Sequence, residues 1–291
     1  MFFGSMPALV TPFSGNCVDE DSLIGFVDWQ IEQGSNALVP CGTTGESATM
    51  TAAEQRRVIE LTVKAAGGRV PVIAGCGSNS TAVAIEHLKT AQDVGADAAL
   101  IVTGYYNKPS QAGLIAAYKA MSAATELPIV IYNIPSRAVV DISVDTLAEI
   151  ARLPNVVAVK DATGNLGRVS AQRLACGSDF CQLSGNDETA LAFNAMGGVG
   201  CISVSANVAP KLCSDFQKAM REGSWDEALK LQDRLYPLHT ALFTDASPGP
   251  VKYALSRVRP GFPTEIRLPL VEASEASRRA VDQALEHAGL V

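Results

Sequence analysis

Eight short apolar runs that alternate with helix-length amphipathic segments predict an α/β fold, a (β/α)8 or TIM barrel followed by a helical C-terminal region. Strands that alternate with helices imply parallel pairing through helical crossovers. Eight such units within about two hundred residues favour a closed barrel over an open sheet. The runs are Met6–Val10, Ala37–Pro40, Val70–Ala74, Ala98–Val102, Pro128–Tyr132, Val156–Lys160, Phe180–Leu183 and Val199–Val204.

The segments between these runs have the periodicity of amphipathic helices, as Asp21–Gln33 and Thr81–Val94 illustrate. In the first of them, Leu23, Val27 and Ile31 fall on one helical face. A glycine follows that segment directly and supplies the signal that ends the helix.

The chain changes character from about residue 209, where helical patterns continue without a further strand. We expect residues 1–222 to form the catalytic barrel and residues 223–291 to form a helical region packed on it. The helices predicted in this part of the chain are Lys211–Arg221, Ser224–Leu242, Pro250–Arg257 and Ser274–Ala288.

Composition and charge exclude several classes of protein. Of the 291 residues, 47% are hydrophobic, which is enough for a large core. The formal net charge is −7 and no lysine or arginine precedes Arg56, so nucleic acid and anionic membranes are poor partners and a secretory signal is not expected. No apolar run reaches transmembrane length. The seven scattered cysteines lack a Cys-x-x-Cys pair, which is typical of reduced thiols in a cytoplasmic protein.

In barrels of this type the active site forms at the C-terminal ends of the strands. Here those ends carry hydroxyls, one lysine, one arginine and tight glycine turns, whereas His87, His239 and His287 fall in predicted helices. No metal-ligand spacing, phosphate-binding loop or nucleophile elbow occurs, so we expect no metal and no cofactor. The strand-end segments are Cys41–Glu46, Gly75–Ser80, Thr103–Pro109, Tyr132–Arg137, Lys160–Gly164 and Ser184–Asp187.

Lys160 ends an apolar run that we expect to lie in the barrel wall. Burial lowers the pKa of a lysine because desolvation disfavours the charged form, and a neutral amine attacks a carbonyl to form an imine. The alternative is a lysine that reaches the rim or pairs with Asp161, and spacing alone does not separate the two. Three other lysines end no strand: Lys108, Lys119 and Lys252.

Further polar side chains follow neighbouring strands. Tyr132 ends the preceding strand, where its hydroxyl can carry protons to and from a carbinolamine or simply plug the barrel. The two-pronged donor geometry of Arg137 suits a carboxylate, although a surface ion pair with Asp141 is the alternative. Thr43 and Thr44 lie between glycines, which lets a small ligand approach or serves only a tight turn.

Three strand-end motifs are specific in combination: Gly42-Thr-Thr-Gly-Glu46, Tyr132-Asn-Ile-Pro-Ser-Arg137 and Lys160-Asp-Ala-Thr-Gly164. With them, nearly the whole chain resembles the pyruvate-dependent class I aldolase and lyase superfamily, and within it the dihydrodipicolinate synthase family. The resemblance implies that pyruvate, held as a Schiff base on Lys160, condenses with L-aspartate 4-semialdehyde to give 4-hydroxy-tetrahydrodipicolinate. This step belongs to lysine and diaminopimelate biosynthesis. A cytoplasmic homotetramer, built as a dimer of tight dimers, is also implied.

The resemblance assigns a proton relay to Tyr132, Thr44 and Tyr106, and it implies that Tyr106 comes from a neighbouring subunit. From the residues alone, Tyr105 and Tyr106 could equally form an interface stack. A relay shared between subunits would make the oligomer necessary for activity.

The resemblance also assigns substrate contacts. Thr43 and Thr44 hold the pyruvate carboxylate, and Arg137 binds the carboxylate of aspartate semialdehyde. Gly185 and Ile202 line the pocket beside the lysine.

A possible effector site follows from the same resemblance, with Ser47, Ala48, Asn79 and Tyr105 matching the lysine-binding pattern of lysine-sensitive relatives. Those relatives often carry His or Glu at three positions where this chain differs: Ala52, Gln55 and Val83. We therefore expect L-lysine to inhibit weakly or not at all.

Two other functions remain open from the sequence. A sister aldolase that acts on a sugar acid, such as N-acetylneuraminate or a 2-keto-3-deoxy acid, would keep Lys160 and Tyr132, and Arg137 argues against it because a polyol needs neutral partners. A non-catalytic metabolite-binding barrel would need neither the lysine nor the tyrosine.

Overall fold

The computed structural model describes residues 2–291. Seven parallel strands form one curled sheet in the order β1-β9-β8-β7-β6-β5-β4, and β2 and β3 form a separate antiparallel hairpin. The strands are β1 (Gly4–Pro7), β2 (Phe13–Ser14), β3 (Cys17–Val18), β4 (Ile73–Gly75), β5 (Ala98–Val102), β6 (Ile129–Asn133), β7 (Val156–Asp161), β8 (Cys181–Ser184) and β9 (Gly200–Ser203).

The segment 37–40 closes this sheet into a barrel. Ala8 bridges Val39 and Leu38 bridges Val72, both in parallel, so the segment lies between β1 and β4. It forms only isolated bridges rather than a continuous strand. The predicted (β/α)8 barrel is confirmed, with the second of its eight predicted runs reduced to this short contact.

Helices connect the strands and surround the barrel, and the bounds predicted for six of them agree with the structure to within one residue. The short hairpin β2–β3 and the one-turn helix α5 were not predicted. The barrel helices are α1 (Glu20–Glu32), α2 (Ala52–Ala66), α3 (Thr81–Asp93), α4 (Gln111–Ala123), α5 (Pro135–Ala138), α6 (Val144–Ile150), α7 (Gly167–Cys176), α8 (Ala190–Ala195) and α9 (Pro210–Glu222).

Three further helices form the C-terminal region: α10 (Trp225–Ala241), α11 (Gly249–Val258) and α12 (Glu275–Ala288). Helix α10 packs on α9 and α12, and α11 packs on α12. No helix within residues 2–291 is long and apolar enough to cross a membrane.

The barrel has two apolar layers because successive side chains of a strand point to opposite faces. In β7, Ala158 packs inside the barrel with Tyr132 and Ile202, whereas Val159 packs in the outer layer against the helices. The same alternation turns Lys160 inward and Asp161 outward. The barrel wall therefore presents a lysine to its own interior.

Candidate active site

A tight turn, Gly42–Glu46, carries two threonines at the C-terminal end of the barrel. A Cβ on Gly45 would lie 2.9 Å from the backbone oxygen of Leu9, so the turn can approach the barrel this closely only with glycine. Thr44 is buried in the turn, while Thr43 faces a cavity. The turn thus presents one threonine to a ligand and packs the other.

The cavity beside this turn has a volume of about 630 Å³. Three of the predicted catalytic and substrate-binding residues line it: Thr43, Tyr132 and Arg137. Three of the predicted effector residues line the same cavity: Ser47, Ala48 and Tyr105. The turn is consequently a wall shared by both predicted sites, which are parts of one continuous space.

Lys160 has 5% of its surface exposed and is not among the described residues that line the cavity. Its Nζ is 4.1 Å from the centre of the Tyr132 ring, and the two residues are direct partners in the register of β6 and β7. No carboxylate of residues 2–291 lies within 4.0 Å of this ammonium. The amine is therefore buried, faces the ring of a phenol and is paired with no carboxylate of the described residues.

Asp161, the next residue, is engaged on the outer face of the strand. Its carboxylate accepts hydrogen bonds from Gln172 Nε2 at 2.6 Å, Thr163 N at 2.8 Å and Arg168 Nε at 3.3 Å. The alternative in which Asp161 neutralises Lys160 is wrong, because the alternation of the strand separates the two side chains.

Arg137 is exposed at the cavity and pairs with no carboxylate of residues 2–291. Asp141, the partner considered from the sequence, instead accepts hydrogen bonds from Asn133 Nδ2 at 2.7 Å and Arg168 Nη1 at 3.4 Å. The guanidinium of Arg137 is left available for an anionic ligand.

A second buried lysine, Lys252 in α11, was missed because it was taken for an ordinary residue at a helix start. Its Nζ lies 2.5 Å from Glu46 Oε1, donates to the carbonyl of Glu265 at 2.6 Å and sits 4.5 Å from the centre of the Phe13 ring. Burial lowers the pKa of Lys252, and the neighbouring Glu46 partly offsets this. The apolar residues around it in α11 were the available signal. Its ammonium is already bound, unlike that of Lys160.

Residues 1–288 match the model of the Dihydrodipicolinate synthetase family. The chain belongs to this family. It is 61% identical over 290 residues to the 4-hydroxy-tetrahydrodipicolinate synthase of Rhizorhabdus wittichii and 62% identical over 291 residues to that of Zymomonas mobilis subsp. mobilis, with 100% of both chains covered in each case. A solved structure of the chloride-inhibited dihydrodipicolinate synthase from Acinetobacter baumannii, complexed with pyruvate, is 44% identical with a TM-score of 0.97 and 100% coverage of both chains. The resemblance drawn from the strand-end motifs is confirmed.

The resemblance implies that Gly185 and Ile202 lie near the lysine. Gly185 directly follows β8, and Ile202 belongs to β9. Ile202 in β9 is fully buried in the barrel interior. A Cβ on Gly185 would lie 2.7 Å from that of Ala162, so glycine allows the two backbones to approach. Neither is among the described residues that line the cavity.

Tyr106 is separated from the other members of the proposed family relay within this chain. It is 87% exposed, has a left-handed backbone with φ of 72°, and is not among the described residues lining the cavity, although Tyr105 is. Its part in the relay stays a prediction that requires a second subunit.

Only part of the predicted effector set lines the cavity. Asn79 is not among the described cavity-lining residues, and its carbonyl accepts a hydrogen bond from Asn107 Nδ2 at 2.8 Å. Ala52, Gln55 and Val83, where this chain differs from lysine-sensitive members of the dihydrodipicolinate synthetase family, all line the cavity. That part of the wall offers an ammonium ligand no carboxylate.

His87 also lines the cavity and was set aside in the sequence as a residue of a predicted helix. Its Nδ1 is buried and has no hydrogen-bond partner within residues 2–291. Its spacing of four from Val83 places both on one face of α3, a signal available in the sequence. No group of three or more potential ligand side chains within residues 2–291 is placed to hold a metal.

Proposed function

We propose that this chain is a 4-hydroxy-tetrahydrodipicolinate synthase that condenses pyruvate with L-aspartate 4-semialdehyde. The observation that carries the proposal is the Lys160 amine, which is buried against the ring of the cavity-lining Tyr132 and is paired with no carboxylate of residues 2–291. Full-length relatives at about 60% identity bearing this name support the choice of reaction.

The reaction begins when the Lys160 amine attacks the keto carbon of pyruvate. The resulting carbinolamine loses its hydroxyl as water once a proton reaches the oxygen, and a protonated imine remains. The register that pairs Tyr132 with Lys160 across neighbouring strands supports Tyr132 as the group that moves this proton. Tyr106 of a second subunit and Thr44 extend the relay toward solvent.

The imine then makes the methyl carbon of pyruvate nucleophilic. Loss of a proton from that carbon gives an enamine, which attacks the aldehyde carbon of the semialdehyde, and the aldehyde oxygen takes up a proton to become the hydroxyl group of the product. The amino group of the second substrate attacks the imine carbon, which closes the ring and releases Lys160. One water is formed overall, so no oxidant or cofactor is needed.

Two anionic groups must be held for this sequence of steps. The carboxylate of pyruvate is received by the turn that carries Thr43 and Thr44, of which Thr43 lines the cavity. The unpaired guanidinium of Arg137 at the cavity wall receives the carboxylate of the semialdehyde. A sugar-acid substrate would place a neutral polyol against this cation, which disfavours the sister activity.

We infer further that the active form is a cytoplasmic homotetramer. All seven cysteines are free, which supports a reducing compartment. The exposed Tyr106 supports a site completed by a neighbouring copy.

The test is an assay of purified protein with pyruvate and aspartate semialdehyde, beside N-acetylneuraminate and 2-keto-3-deoxy sugar acids. We expect turnover with the first pair only. Cleavage of a sugar acid at a higher kcat/KM would identify the sister aldolase, and pyruvate binding without turnover of any substrate would identify a binding protein.

A further inference from the structure

A buried ion pair lies directly behind the Gly42–Glu46 turn. The side chains of Glu46 and Lys252 are both 0% exposed, and their charged atoms are 2.5 Å apart. The second carboxylate oxygen of Glu46 accepts the backbone N–H of Arg267 at 3.0 Å. One side chain of the turn is therefore bound both to helix α11 and to the segment that follows it.

The segment that contacts Glu46 is itself held by further hydrogen bonds and ion pairs. Arg267 binds the Glu54 carboxylate through two nitrogens, at 2.6 and 3.0 Å. The Glu265 carboxylate accepts the backbone N–H groups of Gly15 and Asn16 at 2.8 and 2.6 Å. The segment that carries Glu265 and Arg267 is thus fastened at several points, so it can serve as a firm support for Glu46.

The turn needs such a support. It contains Gly42 and Gly45, which restrict the backbone least, and Glu46 itself has a left-handed conformation with φ of 58°. A buried ion pair is a costly way to stabilise a fold, since apolar residues of similar volume often do as well. What it adds here is a fixed contact for Glu46, two residues after Thr44 in the turn.

We propose that the Glu46–Lys252 ion pair positions the Thr43–Thr44 turn for the carboxylate of pyruvate, so that the C-terminal helical region forms part of the pyruvate site. Glu46 acts as a positioning residue that touches no substrate. The proposal rests on the proposed function for the identity of the ligand. Its structural half, that the pair restrains the turn, can be measured without any substrate.

The main variants are Glu46→Asp, which keeps the charge and shortens the side chain, and the double variant Glu46→Gln/Lys252→Met, which removes both charges together. Removing one charge alone would leave the other buried and unpaired, and folding would suffer for that reason. Glu60→Gln is the matched control, since it removes a carboxylate that pairs with Arg57 and Lys64 within α2 and makes no contact with the segment that supports the turn.

Two measurements are made on each variant as the full chain. The first is the pyruvate concentration that gives half-maximal trapping by borohydride, together with the trapping rate at saturation. We expect the half-maximal pyruvate concentration to rise roughly tenfold or more in Glu46→Asp and in the double variant, because a small misplacement of a binding group weakens binding strongly. We expect the saturated rate to stay within about threefold of wild type, and the control to match wild type in both.

The second measurement is hydrogen exchange of the backbone amides of residues 42–46 without ligand, which we expect to be faster in both main variants and unchanged in the control. Unchanged pyruvate requirement in Glu46→Asp would overturn the proposal, even if exchange is faster, because the pair would then be only structural. A drop confined to the saturated rate would overturn it too. If the double variant does not fold, Glu46→Asp decides alone. If the wild-type protein traps no pyruvate, the proposed function is refuted instead. In that case, unchanged hydrogen exchange of residues 42–46 in the variants would still refute the claim that the ion pair restrains the turn.

Discussion

The ammonium of Lys160 lies 4.1 Å from the centre of the Tyr132 ring, and the two residues face each other across the neighbouring strands β6 and β7. Neighbouring parallel strands end at the same rim of a barrel, so the amine and the phenol lie side by side at that rim. In the proposed reaction, Lys160 is the nucleophile and Tyr132 transfers protons.

From this pair we predict that pyruvate and borohydride add one reduced adduct, on Lys160. Lys160→Ala should abolish the adduct, whereas Lys108→Ala, which alters an exposed loop lysine, should leave it unchanged. Peptide mass spectrometry locates the modified residue. An adduct on Lys108 or Lys252 would show that the nucleophile has been wrongly assigned.

The free guanidinium of Arg137 at the cavity wall predicts that this residue affects the binding of one substrate and not of the other. Arg137→Ala should leave imine formation with pyruvate largely intact and weaken the use of aspartate semialdehyde, since loss of a charged hydrogen-bond partner costs roughly 1.5–3 kcal/mol. Steady-state kinetics should show this as a rise in KM for the semialdehyde on the order of tenfold or more.

Arg137→Lys is the matched control for this position because it keeps the charge and loses the two-pronged geometry. We expect its KM for the semialdehyde to lie between those of wild type and Arg137→Ala. If instead pyruvate trapping fails while the semialdehyde is spared, Arg137 serves the first substrate.

The exposed position of Tyr106 predicts a site shared between subunits. Tyr106→Phe and Lys160→Ala should each be inactive alone and regain activity when mixed as hybrids. In a hybrid dimer one site carries both substitutions and the other carries neither. Activity is measured on hybrids separated by differential tags, and no recovery in verified hybrids would mean that Tyr106 acts within its own chain or not at all.

The composition of the cavity wall predicts weak inhibition by L-lysine. Ala52 and Val83 cannot accept a hydrogen bond, and Gln55 is neutral with its amide already donating to the carbonyl of Ser47 at 2.9 Å. An ammonium ligand needs acceptors or anions to replace its hydration. A lysine titration at limiting pyruvate, with binding followed by calorimetry, tests this, and strong inhibition at sub-millimolar lysine would contradict it.

The contact between Arg267 and Glu54 predicts a loss of stability in acid. The side-chain hydrogen bond from Arg267 lowers the pKa of Glu54 from 4.5 to about 2. A folded-state pKa below the unfolded one means that the stabilisation is complete above about 4.5 and disappears as the pH falls toward 2.

Glu54→Gln should therefore cost roughly 1 kcal/mol at neutral pH, as for a partly exposed ion pair. The difference from wild type should shrink between pH 4.5 and about 2. Denaturant unfolding at several pH values measures it, and a constant difference across that range would assign the effect to shape rather than charge.

Much of the fold was accessible from the sequence because local patterns determine it. Helix bounds followed from periodicity and stop signals, whereas spacing did not decide whether Lys160 is buried, reaches the rim or pairs with Asp161. The sequence did not predict ion pairs between residues that are far apart in the chain. An ion pair of Arg137 with nearby Asp141 was the alternative considered, but Arg168 in α7 is the residue that reaches Asp141. The position of Lys252 at a helix start gave no sign of its pairing with Glu46, which lies on another part of the chain.

The contact between Glu46 and the backbone of Arg267 spans 221 residues of sequence. On the ribosome, the threonine turn emerges long before the segment that supports it, and such distant contacts form late in folding. A nascent chain can therefore assemble most of its barrel before its pyruvate site is complete. A chain that ended before Lys252 would contain every strand of the barrel and would lack both residues that hold the Glu46 side chain.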